Sequence, residues 1–349
     1  MHRVHDRVEN RVAFRHRFLF IYKGVCMTIL VTGVAGFIGS HVAKSLLESG
    51  EFIIGIDNIN DYYSTTLKKN RLKELQNFEK FSFIEKDISI PSSLIKAVGN
   101  NKIEKVCHLA AQAGVRYSII NPRAYVNSNI LGHLEVLEFC RNNEINHLVY
   151  ASSSSVYGSS SKLPLSLKDK TNFPISLYAA TKSADELMSH SYAHLYKIPT
   201  TGLRFFTVYG PWGRPDMAIW KFTESIISGN SIQIFNHGRM KRDFTYIDDI
   251  VAGVISSLYK PPSNENGSLH RLYNLGNNKP ESLAHMIDVI ESTLGIKANK
   301  QYVEMQKGDV EATYADITES VKELGFKPKI KIEEGIPYFI EWYKGYHNC

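Results

Sequence analysis

Two side chains four residues apart, Tyr178 and Lys182, carry the most chemical potential in this 349-residue chain. On a helix, positions i and i+4 share a face. An ammonium beside a phenol favours the phenolate of a group that ordinarily titrates at about 10. A tyrosine so placed can act as general base toward an alcohol. The same spacing on its own is common as a solvated surface pair. What raises it here is the serine run 152–155 directly after an apolar strand. Ligands of open α/β sheets bind beyond the carboxyl ends of the strands. A serine there can hold a substrate hydroxyl for Tyr178, and the other serines of the run are polar loop.

A second constellation is Gly33, Gly36 and Gly39, spaced three apart. Glycines let the backbone turn tightly and approach a pyrophosphate, and the following helix start presents free N–H groups with a partial positive charge. The triplet lies between a strand and a helix, the context that a dinucleotide site requires. Asp57 ends the next strand. Its carboxylate would accept from an adenosine ribose diol and repel a 2′-phosphate, so NAD is favoured over NADP. Without that context the triplet is a structural turn and Asp57 a solvated acid.

These groups need a scaffold, and the apolar periodicity supplies one. Short apolar runs at 28–32, 52–57, 81–84, 105–110, 147–151 and 200–206 predict buried parallel strands. Helical patterns at 40–49, 121–142 and 176–196 alternate with them, and Pro122 sits near the start of the second. The alternation predicts an α/β fold, a doubly wound parallel (Rossmann) sheet. Beyond about residue 210, Gly and Pro become frequent and strands shorten, at 232–235, 244–247 and 272–275, with helices at 281–294 and 332–343. The organisation expected is a basic N-terminal extension at 1–26, an NAD-binding domain at 27–210, and a smaller C-terminal α/β substrate-binding lobe at 211–349, partly interleaved with the first.

Composition excludes several alternatives. With 43% hydrophobic residues the chain can bury a sizeable core. Its net charge of +6 is concentrated in Arg3, Arg7, Arg11, Arg15 and Arg17 rather than on a basic stripe, so no nucleic-acid partner is expected. A mildly basic protein suits an anionic substrate. Cys26, Cys107, Cys140 and Cys349 are scattered without metal spacing, which predicts no metal site and a reducing, cytoplasmic setting. No apolar run approaches the roughly 18 residues that span a bilayer, so no membrane partner is expected. The apolar cluster 18–22 is too short for a signal-peptide core. Met27, opening the first strand, is read as the natural start; the other reading of 1–26 is a basic arm touching a membrane or a partner.

The Gly triplet, the ribose Asp, the serine run leading to Val156-Tyr157-Gly158, and the Tyr178/Lys182 pair occur in this order. Together they resemble the extended short-chain dehydrogenase/reductase family. Stretches 57–63, 108–118, 203–218 and 241–249 look like UDP-glucuronate 4-epimerases of bacteria and plants, and the match covers residues 27–349. The resemblance implies a catalytic set of Tyr178, Lys182 and Ser153. For NAD it implies Gly33, Gly36, Phe37, Ile38 and Gly39, then Asp57 and Asn58, Asp87 and Ile88 at the adenine, and Ala110, Ala111 and Gln112 near the phosphates. Asn129 and Phe205 complete the cofactor set. For a UDP-hexuronate it implies Arg242 and Asp309 on the nucleotide, Phe235 against the uracil, and Thr207 and Arg214 at the carboxylate, with Ser152, Ser154 and Arg116 nearby. For Arg116 a solvated helix-start charge is an equal reading. Arg214 also has chemistry of its own, since a guanidinium fork matches a carboxylate. One departure is Lys307 before Gly308-Asp309, where such epimerases often carry Pro.

The reaction implied is reversible C4 epimerisation through a 4-keto sugar, with NAD kept bound. Dehydratases of the same scaffold place Asp-Glu before Val-Tyr-Gly, and decarboxylating relatives place Glu there. This chain has Ser154 and Ser155. A 4-epimerase for UDP-glucose or an N-acetylated UDP-hexose is the neighbouring reading, and a non-catalytic NAD- or UDP-sugar-sensing protein the reading of another class. A homodimer through the 121–142 and 176–196 helices is what the family implies.

Overall fold

The computed structural model describes residues 27–160, 162–263, 268–306 and 308–349. The basic extension 1–26, Cys26 and Lys307 lie outside the described residues.

Seven parallel strands form the central sheet. They are β1 (Thr28–Thr32), β2 (Phe52–Asp57), β3 (Phe81–Glu85), β4 (Lys105–His108), β5 (His147–Ser153), β6 (Thr200–Phe205) and, much later in the chain, β10 (His270–Leu275). Their order is β10-β6-β5-β4-β1-β2-β3, so the chain winds outward in both directions from β1, as a doubly wound sheet does. Continuous apolar strands let both faces be covered. Side-chain alternation splits β1 between two cores: Ile29 and Val31 join one cluster, Leu30 the other. The 121–142 segment is not one helix. It breaks into Pro122–Tyr125, a wide π-type turn at Val126–Leu131 and a helix at Gly132–Asn142. Such turns insert a residue and re-aim side chains.

The remaining strands build two small sheets. β7 (Thr207–Tyr209), β9 (Lys241–Tyr246) and β11 (Pro280–Ser282) form one, in the order β11-β9-β7; β8 (Ser231–Phe235) pairs with β12 (Asn299–Val303) in the other. The two halves of the chain are stitched together. β10 borders β6 in the main sheet, although it comes after the second lobe begins. The buried Asn274 on β10 donates to Leu165 O at 2.9 Å and Asp316 O at 3.0 Å, and accepts from the Tyr157 hydroxyl at 2.7 Å. Among the described residues no helix is long and apolar enough to cross a membrane, and no group of His, Cys, Asp and Glu could hold a metal ion.

Candidate active site

The carboxyl ends of β1, β2, β4, β5 and β6 open onto a cleft of about 240 Å³. Gly33 has φ +71°, and a Cβ on it would lie 2.6 Å from Ala110 N, so only glycine fits between the two loops. A Cβ on Gly36 would lie 2.9 Å from Gly33 O. The helix Phe37–Glu48 starts at Gly36 with neither a side-chain cap nor an acidic residue in its first turn, which leaves its N–H groups for an anion. Asp57 accepts from Ala35 N at 3.1 Å and Ile59 N at 2.9 Å, and its carboxylate keeps lone pairs for a diol. Burial pushes its carboxyl up, against the pull of the Ile59 N–H and the Lys68 ammonium. Asn58 donates to Asp87 at 3.1 Å, joining the two ends of this wall. The donor set and the glycine turn therefore fit a dinucleotide.

The expected residues Phe37, Ile38, Gly39, Ile88, Ala110, Ala111, Gln112 and Phe205 also line this cleft. Asn129 does not. It is 1% exposed, and the π-type turn points it inward, where it accepts from Gln112 N at 2.8 Å and donates to Gln112 O and to Thr181 Oγ1 at 3.0 Å. Its place is behind the 110–112 loop, holding it; its neighbour Ser128 lines the cleft instead.

Tyr178, Lys182 and Ser153 all line this cleft. Tyr178 lies in the first turn of the helix Leu177–Tyr196, capped by Ser176, whose hydroxyl accepts from Ala179 N at 3.1 Å. The Tyr125 ring stands edge-on to it with centroids 6.0 Å apart, and the Tyr125 hydroxyl is tied to the carbonyls of Ala113 and Gly114. Lys182 is buried and donates to Ala151 O and to Asp185 Oδ2, both at 3.0 Å. Asp185 is the counter-ion that sequence reading missed. Burial raises its carboxyl to about 6 despite Lys182. Burial, helped by the Lys182 charge, drives His108 down to about 3, and its Nδ1 lies 2.7 Å from Thr32 Oγ1.

Ser153 Oγ accepts from Ser155 N at 3.1 Å, which leaves its own proton to give away. Ser152 points to the opposite face of the strand. Its hydroxyl donates to Glu186 at 2.5 Å, and Glu186 takes a two-point contact from Arg204 at 2.8 and 2.7 Å. Ser152 is thus a support behind the site rather than a substrate contact through its hydroxyl. Ser154 begins the 3₁₀ turn Ser154–Tyr157 and lines neither cavity, because the turn carries it away from the cleft.

A second cavity, of about 520 Å³, adjoins the first and shares Tyr62, Val208, Arg214 and Met217 with it. Thr207, Phe235, Arg242, Asp309 and Arg116 all line it. Arg116 is exposed at the start of the Tyr117–Ile120 helix, as the solvated reading expects, and also borders this cavity. It pairs with Asp309 at 2.9 Å and lies 4.9 Å over the Phe235 ring. Arg242 donates to the carbonyls of Lys241 and Glu311. Arg214 sits where the cavities meet, half-buried, and is gripped by Asp216. The backbone before it is held by Arg71. This buried guanidinium spends five hydrogen bonds on neutral oxygens: Ala35 O, Tyr63 Oη, Trp212 O twice and Gly213 O, at 2.6 to 3.1 Å. Neither Asp216 nor Arg71 was expected from sequence.

A glycine turn over a parallel sheet and a Tyr/Lys pair facing it, with a second cavity opening off the same cleft, define an extended short-chain dehydrogenase/reductase. Comparison narrows the class. The family profile described as GDP-mannose 4,6 dehydratase matches residues 30–338. The chain is 49% identical to Protein CapI of Staphylococcus aureus, covering 92% of this chain and 100% of that protein. It is 45% identical to a probable UDP-glucuronate 4-epimerase of Rhizobium meliloti, covering 91% and 97%. The crystal structure of the UDP-glucuronic acid 4-epimerase from Bacillus cereus, in complex with UDP-glucuronic acid and NAD, superposes with TM-score 0.84 at 34% identity, over 92% of this chain and 100% of that one. The chain belongs to the UDP-glucuronate 4-epimerase family of NAD-dependent nucleotide-sugar epimerases and dehydratases.

Proposed function

We propose that this protein is an NAD-dependent enzyme that interconverts UDP-glucuronate and UDP-galacturonate by inverting C4. The observation that carries this is the position of Arg214. It lies on the wall shared by the dinucleotide cleft and the second cavity, so a sugar spanning the junction would set C4 toward Tyr178 and its acid group toward the guanidinium. Bound NAD would supply the hydride acceptor and return the hydride. Tyr178 takes the C4 hydroxyl proton and later gives it back. Ser153 donates to the same oxygen, and Lys182 supplies positive charge next to the phenol. Phe235, Arg242, Asp309 and Arg116 hold the UDP end while the flat keto sugar turns over. Thr207 and Arg214 hold the carboxylate. No acidic residue stands at 154 or 155 to drive elimination.

Purified protein incubated with UDP-glucuronate should give UDP-galacturonate by NMR, without added oxidant. Turnover of UDP-glucose or UDP-N-acetylglucosamine in its place would refute the substrate. Cofactor retention without turnover of any of the three would refute catalysis. The protein is further read as a cytoplasmic homodimer. Exposed Ile119, Ile120, Leu131, Leu187 and Leu195 on the 117–142 and 177–196 segments are an apolar face of the kind a dimer covers. Sedimentation of a single monomeric species would refute that.

A further inference from the structure

Arg214 is gripped along one edge only. Its Nε donates to Asp216 Oδ1 at 2.9 Å, and its Nη2 to Asp216 Oδ2 at 2.5 Å. A guanidinium carries five N–H bonds, so this contact uses two. Of the other three, two lie along the edge formed by the two terminal nitrogens, and that edge has the geometry to take a second carboxylate in a two-point contact. Asp216 is itself fixed, because the Tyr62 hydroxyl donates to its Oδ2 at 3.1 Å. Arg214, Asp216 and Tyr62 line the same cavity, and Arg214 and Tyr62 face the catalytic cleft as well.

We infer that Asp216, braced by Tyr62, is the positioning residue that aims the outer edge of Arg214 at the carboxylate of the uronic acid. This rests on the substrate proposed above. The need for it follows from the chemistry of the oxidised sugar. A 4-keto uronate is a β-keto acid. If its C5–C6 bond aligns with the carbonyl π system, that bond breaks and its electron pair forms the C4–C5 enolate. Carbon dioxide leaves, and C5 then takes a proton. The product at that point is a UDP-4-ketopentose, and return of the hydride that NAD would have taken from C4 reduces it to the UDP-pentose, so no further oxidant or reductant is required. A single-point contact would let the carboxylate rotate into that alignment. A two-point contact from an arginine that cannot itself swivel holds the torsion. Asp216 has a second effect of opposite sign. Its negative charge weakens the attraction of Arg214 for another anion. Orientation and affinity therefore respond differently when it is changed.

The test uses the full-length holoenzyme and UDP-glucuronate, with Asp216→Asn and Tyr62→Phe as variants. NMR gives the share of decarboxylated UDP-pentose in the product, and initial rates give KM and kcat. For Asp216→Asn the by-product share should rise about ten-fold while KM stays within about three-fold, because lost aim is offset by gained charge attraction. Tyr62→Phe should move the by-product in the same direction, by less. An unchanged product ratio in both variants would overturn the inference, as would a joint fall of kcat and rise of KM with no by-product, the pattern of a merely structural role. A parent enzyme that epimerises only neutral UDP-hexoses would remove the substrate reading and this inference with it. A parent active on UDP-glucuronate with insensitive variants removes this inference alone.

Discussion

Replacing Arg71 by Met probes how the two binding loops are fixed to one another. The side chain is 2% exposed, and its five hydrogen bonds reach three segments: Ala35 in the glycine turn, Tyr63 after β2, and Trp212–Gly213 just before Arg214. Trp212 is held at φ +60°, which a non-glycine residue keeps only when its surroundings impose it. Met fills similar space but donates nothing. The carbonyls of Ala35, Trp212 and Gly213 lose a charged donor, and each buried acceptor left unsatisfied costs roughly 1–3 kcal/mol. Relief from burying a charge without an acidic partner offsets part of that sum. The net loss should be about 3–5 kcal/mol, a large share of the roughly 5–15 kcal/mol of an ordinary domain. The local effect should exceed the global one, since both loops border the cleft. Urea unfolding gives the first quantity, and quantitation of cofactor released from the purified protein gives the second. Arg71→Met should lose both stability and retained cofactor, and Arg71→Lys should fall between, since an ammonium carries three donors. A Met variant within about 1 kcal/mol of the parent, with its full complement of cofactor, would refute the coupling.

Three further outcomes are expected. Tyr178→Phe should lower kcat by about 10²–10⁴-fold with unfolding and cofactor content unchanged; a loss below ten-fold, about 1.4 kcal/mol in the barrier, would remove Tyr178 as the base. Gly39→Ala should abolish cofactor retention, because a Cβ there runs into the Gly33 carbonyl oxygen; normal retention would show that the turn can shift. His108 has a folded pKa depressed to about 3, so the unfolded chain binds its proton first as the pH falls below the ordinary value of 6.5. Its stabilising contribution is complete above that value and is lost at about 1.4 kcal/mol per pH unit between the two. His108→Asn should therefore flatten the fall of stability over that window, as read by denaturant midpoints at stepped pH, and an unaltered slope would contradict this.

What could be read in the sequence was what sits in contiguous motifs. The glycine turn, Asp57, Tyr178 and Lys182 are specified by local spacing on strands and helices whose apolar periods are clean. The strand pattern also held enough to separate the serines. Neighbours on a strand face opposite ways, so the hydroxyls of Ser152 and Ser153 point apart, although both residues border the cleft. Asn129 was misplaced because nothing in the spacing of 121–142 announces an inserted residue in a helix. The partner of Arg116 lies at Asp309, 193 residues on, beyond the reach of any local pattern. Asp216 was closer at hand. An acid two residues after an arginine in a Gly/Pro-rich loop can reach back to it, so this pair is within the range of local spacing.

Asn274 gives the fold an unusual coherence. Because β10 belongs to the main sheet and its asparagine clasps both the 165 and 316 segments, neither half is a portable unit. A fragment ending at residue 210 would expose the edge of β6, which is fully buried along its length. The two lobes are then expected to melt as one cooperative body rather than in succession. Exchanging the second lobe for that of a relative would have to carry β10 across intact or lose the sheet.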